Sequence, residues 1–147
     1  MPGYRAHMVG GLAAFGCLAS VLLDRVEATP LVILTWAVAS VLGSLFPDID
    51  TKSKGQGIFY KALFVCLILL LCNQNGHLFV LMSFIALVPL LVRHRGIFHA
   101  VWFVTLVPLV VAYAVGDAFP AYRYECWYLG WFFAAGALSH IALDRMF

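Results

Sequence analysis

Charge is scarce in this sequence. Only 11% of its 147 residues are Asp, Glu, Lys or Arg, whereas a soluble domain carries about 25%, so there is too little polar material to cover a water-facing surface. Long polar linkers, low-complexity tracts and internal repeats are also missing, which leaves one unit over residues 1–147 rather than a string of modules. The nine Lys and Arg are dispersed and the net charge is only +2, which excludes nucleic acid as a partner. The four cysteines, Cys17, Cys66, Cys72 and Cys126, stand in no CxxC or Cys/His spacing. They read as small packing residues rather than thiolate ligands or disulfide partners.

What the sequence has in abundance is hydrocarbon: 64% of it is hydrophobic and the mean hydropathy is +0.97. A core of this size cannot hide that much apolar surface from water, so the solvent must be lipid. Six apolar runs can be marked, Met8 to Leu23, Leu31 to Phe46, Ile58 to Cys72, Leu78 to Val92, Ile97 to Val115 and Trp127 to Leu143. Several are shorter than the ~20 residues that a perpendicular helix needs to cross the hydrocarbon, so the helices should extend into their polar flanks or the bilayer should thin. A backbone in lipid must satisfy its own hydrogen bonds, and no alternation suggests a barrel. The expected fold is therefore all-α, a polytopic transmembrane bundle of about six helices. The first run, preceded by Arg5, could pass for a signal peptide, but five more follow and it is read as a retained span.

With six crossings, the N-terminus, the second and fourth loops and the C-terminus share one face. That face holds seven basic residues, Arg5, Lys52, Lys54, Lys61, Arg93, Arg95 and Arg145, while the other holds two, Arg25 and Arg123. The positive-inside bias puts the richer face, and with it both termini, in the cytoplasm. No ionisable residue falls in the middle of a run, which counts against an ion-coupled transporter. Pro89 and Pro108 interrupt the fourth and fifth runs, and the small residues Gly10, Gly11, Ala14 and Gly16 would let the first helix approach a neighbour closely.

The ionisable residues on the basic face form the candidate site: His7, Asp48, Asp50, His94, His99, His140 and Asp144. Asp48 and Asp50, two apart after Pro47, can converge on one cation, although such a turn is also an ordinary solvated loop. His94 and His99 flank a tight glycine-containing connection, either as two imidazole ligands or as companions of the interface anchors Arg93 and Arg95. His140 and Asp144, at i and i+4, lie one turn apart on one helix face, which suits two ligands of one metal; the alternative is a histidine interacting with the helix dipole. His77 falls on the opposite face and is left out. Together the groups point to metal, because charge near lipid is costly unless paired or coordinated. The donor count suits two divalent ions, and the imidazole and carboxylate mixture favours zinc, manganese or iron without choosing among them.

Three segments, Gly43-Ser-Leu-Phe-Pro-Asp-Ile-Asp50, His94-Arg-Gly-Ile-Phe-His99 and Gly136-Ala-Leu-Ser-His-Ile-Ala-Leu-Asp144, preceded by His7, resemble the YdjM-like family of inner-membrane metal-dependent hydrolases, also described as LexA-regulated or LexA-binding. The resemblance runs through nearly the whole chain in order. It implies a multi-pass protein of the bacterial inner membrane, divalent-metal hydrolase activity, and metal binding by His7, Asp48, Asp50, His94, His99, His140 and Asp144. Two departures stand out. Phe98 and Ala100 replace the Thr and Ser that commonly flank the second histidine, removing any hydroxyl contact there, and the sequence stops at Phe147 where members often run on, which implies a shortened wall to the site or a loss of activity. More distantly, His-x-x-x-Asp on an all-helical scaffold is similar to the zinc-dependent phospholipase C and P1 nuclease group, which implies phosphoester chemistry.

The expected function is thus a metal-dependent hydrolase at the cytoplasmic lipid interface, acting on a phosphoester such as a phospholipid head group. Asp48, Asp50, His99, His140 and Asp144 would form the core of the metal site, with His7 and His94 completing it or serving as acid or base. Catalytic roles fall to Asp50, His94 and His99. Arg93 and Arg95 would hold phosphate oxygens or anchor the helix ends. Membrane lipid is the expected partner, since a basic pocket at head-group depth meets phosphates first. The alternatives are a metal that merely ties helix ends together, a small-ligand or ion transporter, and an adaptor working through short loops.

Overall fold

The computed structural model describes residues 3–49, 54–91 and 97–146. Among them are six α-helices and no strand: α1 (Tyr4–Leu22), α2 (Pro30–Leu45), α3 (Lys54–Cys72), α4 (Gly76–Leu91), α5 (Val101–Ala118) and α6 (Arg123–Met146). Short 3-10 turns at Phe46–Asp48, Ile97–His99 and Pro120–Tyr122 adjoin α2, α5 and α6. Four segments are long and apolar enough to cross a membrane, Tyr4–Leu22, Pro30–Asp48, Val101–Ala118 and Pro120–Met146, while Gln56–Cys72 and Gly76–Leu87 are shorter apolar stretches. The all-helical membrane bundle expected from the hydropathy is the fold observed.

The helix ends follow from local chemistry. Pro30 opens α2 where its missing N–H costs nothing, and the hydroxyl of Thr29 accepts from the Val32 N–H at 3.4 Å. Pro47 cannot donate to the helix ladder, so α2 tightens into the Phe46–Asp48 turn. α3 closes with Gln74 in the left-handed region, φ 55°, and the Asn75 and Gln74 N–H groups donate back to Leu70 and Leu71 at 3.0 Å. This paired closure satisfies last-turn carbonyls and reverses the chain into α4.

α2 and α6 form the central pair, α1 packs on both, α5 packs on α6, and α3 pairs chiefly with α4. In lipid there is little hydrophobic gain from burying a helix face, so association depends on close contact between backbones. A Cβ on Gly43 would overlap the Phe133 carbonyl oxygen, and one on Gly136 would overlap the Ser40 carbonyl oxygen. Only glycine permits α2 and α6 to touch there. Of the small residues on α1, Gly10 faces Leu143 and Ser139, and Gly11 faces Ser40 and Ser44, but Gly16 has open space beside it and makes no such approach. The Ser40 hydroxyl donates to the Gly11 carbonyl at 2.8 Å, a buried tie between α1 and α2.

Two apolar clusters fill the interior. Ala19, Trp36, Ala39 and Phe132 occupy one level; Phe46, Ile49, Phe98, Val104, Ala137 and Ile141 form the other. The second cluster holds the Phe46–Asp48 and Ile97–His99 turns against α6, and so fixes the residues that follow Phe46 and Phe98 in the chain.

Candidate metal centre

Five of the seven expected donors lie together at one end of the bundle. His7 comes from the first turn of α1, Asp48 and His99 end the Phe46–Asp48 and Ile97–His99 turns, and His140 and Asp144 project from the last turns of α6. Asp50 and His94, with Arg93 and Arg95, lie outside the described residues.

Each donor is aimed by a buried neighbour. Asp48 stands between Phe46 and Ile49, which are 4% and 0% exposed, so its turn is pinned on both sides. Gln56 of α3 donates to the Ile49 carbonyl at 2.8 Å and braces the same turn. His99 follows Phe98, whose ring packs edge-on to Phe46 and Phe103. His140 is held by α2: its Nδ1 lies 2.7 Å from the Ser44 carbonyl oxygen. A carbonyl only accepts, so Nδ1 carries the hydrogen, and a neutral imidazole then presents its lone pair at Nε2. A ring nitrogen fixed by a main-chain carbonyl is the usual support of a metal-binding histidine.

Those directed atoms converge. His140 Nε2 is 3.6 Å from Asp48 Oδ1 and 3.5 Å from Asp144 Oδ2, and His99 Nε2 is 3.8 and 3.5 Å from the same two oxygens. The second oxygen of Asp144 turns to His7, with Oδ1 3.6 Å from its Nε2. His7 also stacks on His140, ring centroids 3.7 Å apart and planes 15° from parallel. All five N–O separations exceed the usual hydrogen-bond range of about 2.7–3.2 Å. Two donors each about 2.0–2.1 Å from a shared tetrahedral ion would stand about 3.3–3.4 Å apart, close to the spacing observed. His140 Nε2 and Asp144 Oδ1 are buried and have no hydrogen-bond partner, a costly arrangement unless a cation satisfies them.

Two trios therefore can hold a metal ion, His7 with His140 and Asp144, and Asp48 with His99 and His140. They share His140, and with imidazole and carboxylate donors and no thiolate the set fits a hard or borderline divalent cation. Asp144 offers its two oxygens to different imidazoles, the disposition in which one carboxylate can serve two positions. The enclosure is uneven: the side chains of His140 and His7 are 0% and 2% exposed, those of His99 and Asp48 15% and 27%, so the cluster opens on the Asp48 and His99 side.

A family model for the YdjM inner membrane protein matches residues 1–147. The chain belongs to that family. No curated protein and no solved structure matches it. For this YdjM-family chain, the sequence named the five side chains that the structure brings together but not their supports. The Ser44 carbonyl is main chain and leaves no side-chain signature. Gln56 was not singled out in the sequence, and Gly43 and Gly136 were visible only as parts of motifs.

Proposed function

We propose that this YdjM-family protein is a metal-dependent hydrolase that cleaves a phosphoester at the cytoplasmic face of the inner membrane. The observation that carries the reading is the pair of buried atoms without a hydrogen bond, His140 Nε2 and Asp144 Oδ1, inside a cluster of imidazoles and carboxylates at one end of the bundle. When bound, a divalent ion there, zinc in the first instance, supplies positive charge that acidifies water and stabilises negative charge developing on a phosphoryl oxygen.

The remaining roles belong to the chain. Asp48, His99, His140, Asp144 and His7 would hold the ion, with Asp50 as a further ligand suggested by the sequence. Ser44 keeps His140 in the tautomer that presents Nε2. The partly exposed His99 and Asp48 line the open side, so the substrate approaches there; His99 would take or give a proton as the bond breaks, a role that the sequence also offers to His94 and Asp50. Arg93 and Arg95, close in sequence to His99, hold phosphate oxygens. The seven-to-two division of basic residues supports a cytoplasmic site, where the phosphates of lipid head groups lie.

The test is metal content together with phosphodiester cleavage, measured on protein purified in mild detergent and on a His140→Ala, Asp144→Ala double variant. Bound zinc with measurable hydrolysis in the native protein, both lost in the variant, is the expected result. Equal background metal in the two proteins would end the reading.

A further inference from the structure

Besides the metal centre, the described residues enclose a crevice of about 380 Å³ within the membrane-spanning zone, walled by α2, α3, α4, α5 and α6. Thr35 and Val38 of α2, Met82 and Ile85 of α4, Val111 of α5 and Phe133 of α6 are among its lining residues, and no charged side chain faces it. Val38 is half exposed, so the crevice is open to the surrounding lipid. Along α2 it extends from Thr35 to Phe46, about 16 Å at a helical rise of 1.5 Å per residue. One leaflet of a bilayer contributes about half of the ~30 Å hydrocarbon thickness, which is the same length.

The two ends of the crevice differ. At the inner end stands Phe46, two residues before Asp48, with Phe59 and Phe133 beside it. At the other end, near Val115 and Cys126, nothing ionisable beyond that thiol lines it. A linear hydrocarbon chain lying in the crevice with its polar end toward Phe46 would bring that end toward the His and Asp cluster.

We infer that the crevice holds a hydrocarbon chain of the substrate, so that the substrate is a membrane phospholipid of the same leaflet rather than a soluble phosphoester. The reaction assigned to this substrate rests on the hydrolase reading above; the binding of the chain does not. An apolar slot about one leaflet long, open to lipid and ending at Phe46, two residues before Asp48, matches a lipid tail in chemistry and length.

The experiment reconstitutes the protein in nanodiscs containing phosphatidylglycerol with a photoreactive diazirine in mid-chain, and maps labelled residues by mass spectrometry. Label concentrated at Val38, Leu42 and Val111, above the level at the lipid-facing Val110 and Val21, is expected. Val38→Trp with Val111→Trp should remove the excess, and Val110→Trp should not. Label spread evenly around the helices, or unchanged after the crevice is filled, overturns the inference. So does disulfide formation between two Val111→Cys chains, which would put a second copy there. In parallel, zinc-loaded protein is assayed on phosphatidylglycerol and on soluble bis(p-nitrophenyl) phosphate. Filling the crevice should lower lipid cleavage relative to soluble-ester cleavage by about tenfold or more, a loss of about 1.4 kcal/mol of substrate discrimination. Crevice labelling without cleavage of either ester removes the hydrolase reading and leaves the chain site standing; cleavage without crevice labelling does the reverse.

Discussion

The imidazole of His7 lies flat on that of His140, with 3.7 Å between ring centroids, so the first turn of α1 closes over the penultimate turn of α6. Buried rings in that position can serve both as packing and, in the proposed function, as ligands, and substitution can separate the two roles. His7→Phe keeps an aromatic ring on His140 and removes both nitrogens. Its expected outcome is a melting temperature in detergent near that of the native protein, with zinc affinity reduced by roughly tenfold or more. Isothermal titration with zinc checks this, beside His7→Ala, which should lose stability as well.

The contact between α2 and α6 gives a second prediction. Gly136→Ala puts a methyl group onto the Ser40 carbonyl, and Gly43→Ala puts one onto the Phe133 carbonyl. Each should force the helices apart at a cost of about 1–3 kcal/mol. The displacement also lengthens the His140 to Ser44 hydrogen bond, so zinc affinity should fall with stability. Gly16→Ala, where space is open, should change neither. Thermal unfolding and zinc titration of the three variants form the comparison.

Ser40→Ala separates scaffold from site. It removes a buried 2.8 Å hydrogen bond to the Gly11 carbonyl, which should lower stability by about 0.5–1.5 kcal/mol. The donors do not include Ser40, so zinc stoichiometry at saturation should stay at the native value. A loss of metal in this variant alone would show that α1 docking sets the site.

Metal retention should depend on acidity with a definite sign. Imidazole and carboxylate bind a cation only when deprotonated, so protons compete with it. Lowering the pH from about 7.5 to about 5, across the ordinary imidazole range, should release zinc, and returning to neutrality should restore it. Equilibrium dialysis at each pH measures this. Retention that is flat across the interval would argue against histidine ligands.

Membrane orientation can be read from thiol labelling in intact cells on a cysteine-free background. Asn75→Cys and Asp117→Cys, at the end of the bundle opposite the donors, should react with an impermeant reagent added outside. Gly3→Cys and Arg145→Cys should react only after the cells are opened. The reverse pattern would place the metal centre outside the cytoplasm.

Some of this protein was legible in its sequence, for a clear reason. Scarce charge and six apolar runs dictate helices in lipid, because no other open backbone satisfies its hydrogen bonds there. Short polar interruptions return consecutive helices to alternating faces, and so His7, Asp48, His99, His140 and Asp144 could be placed at one end without coordinates. Sharing an end is a coarse constraint, however, and says nothing of distance. Which nitrogen of His140 points inward, which oxygen of Asp144 meets His7, and how near Asp48 comes to His99 depend on the rotation and crossing of α2 against α6. Those are fixed where Gly43 and Gly136 let backbone meet backbone, and a carbonyl such as that of Ser44 belongs to every residue alike. The lipid-length crevice is likewise a property of five packed helices, because a gap is defined by the atoms around it and no single run of sequence encodes it.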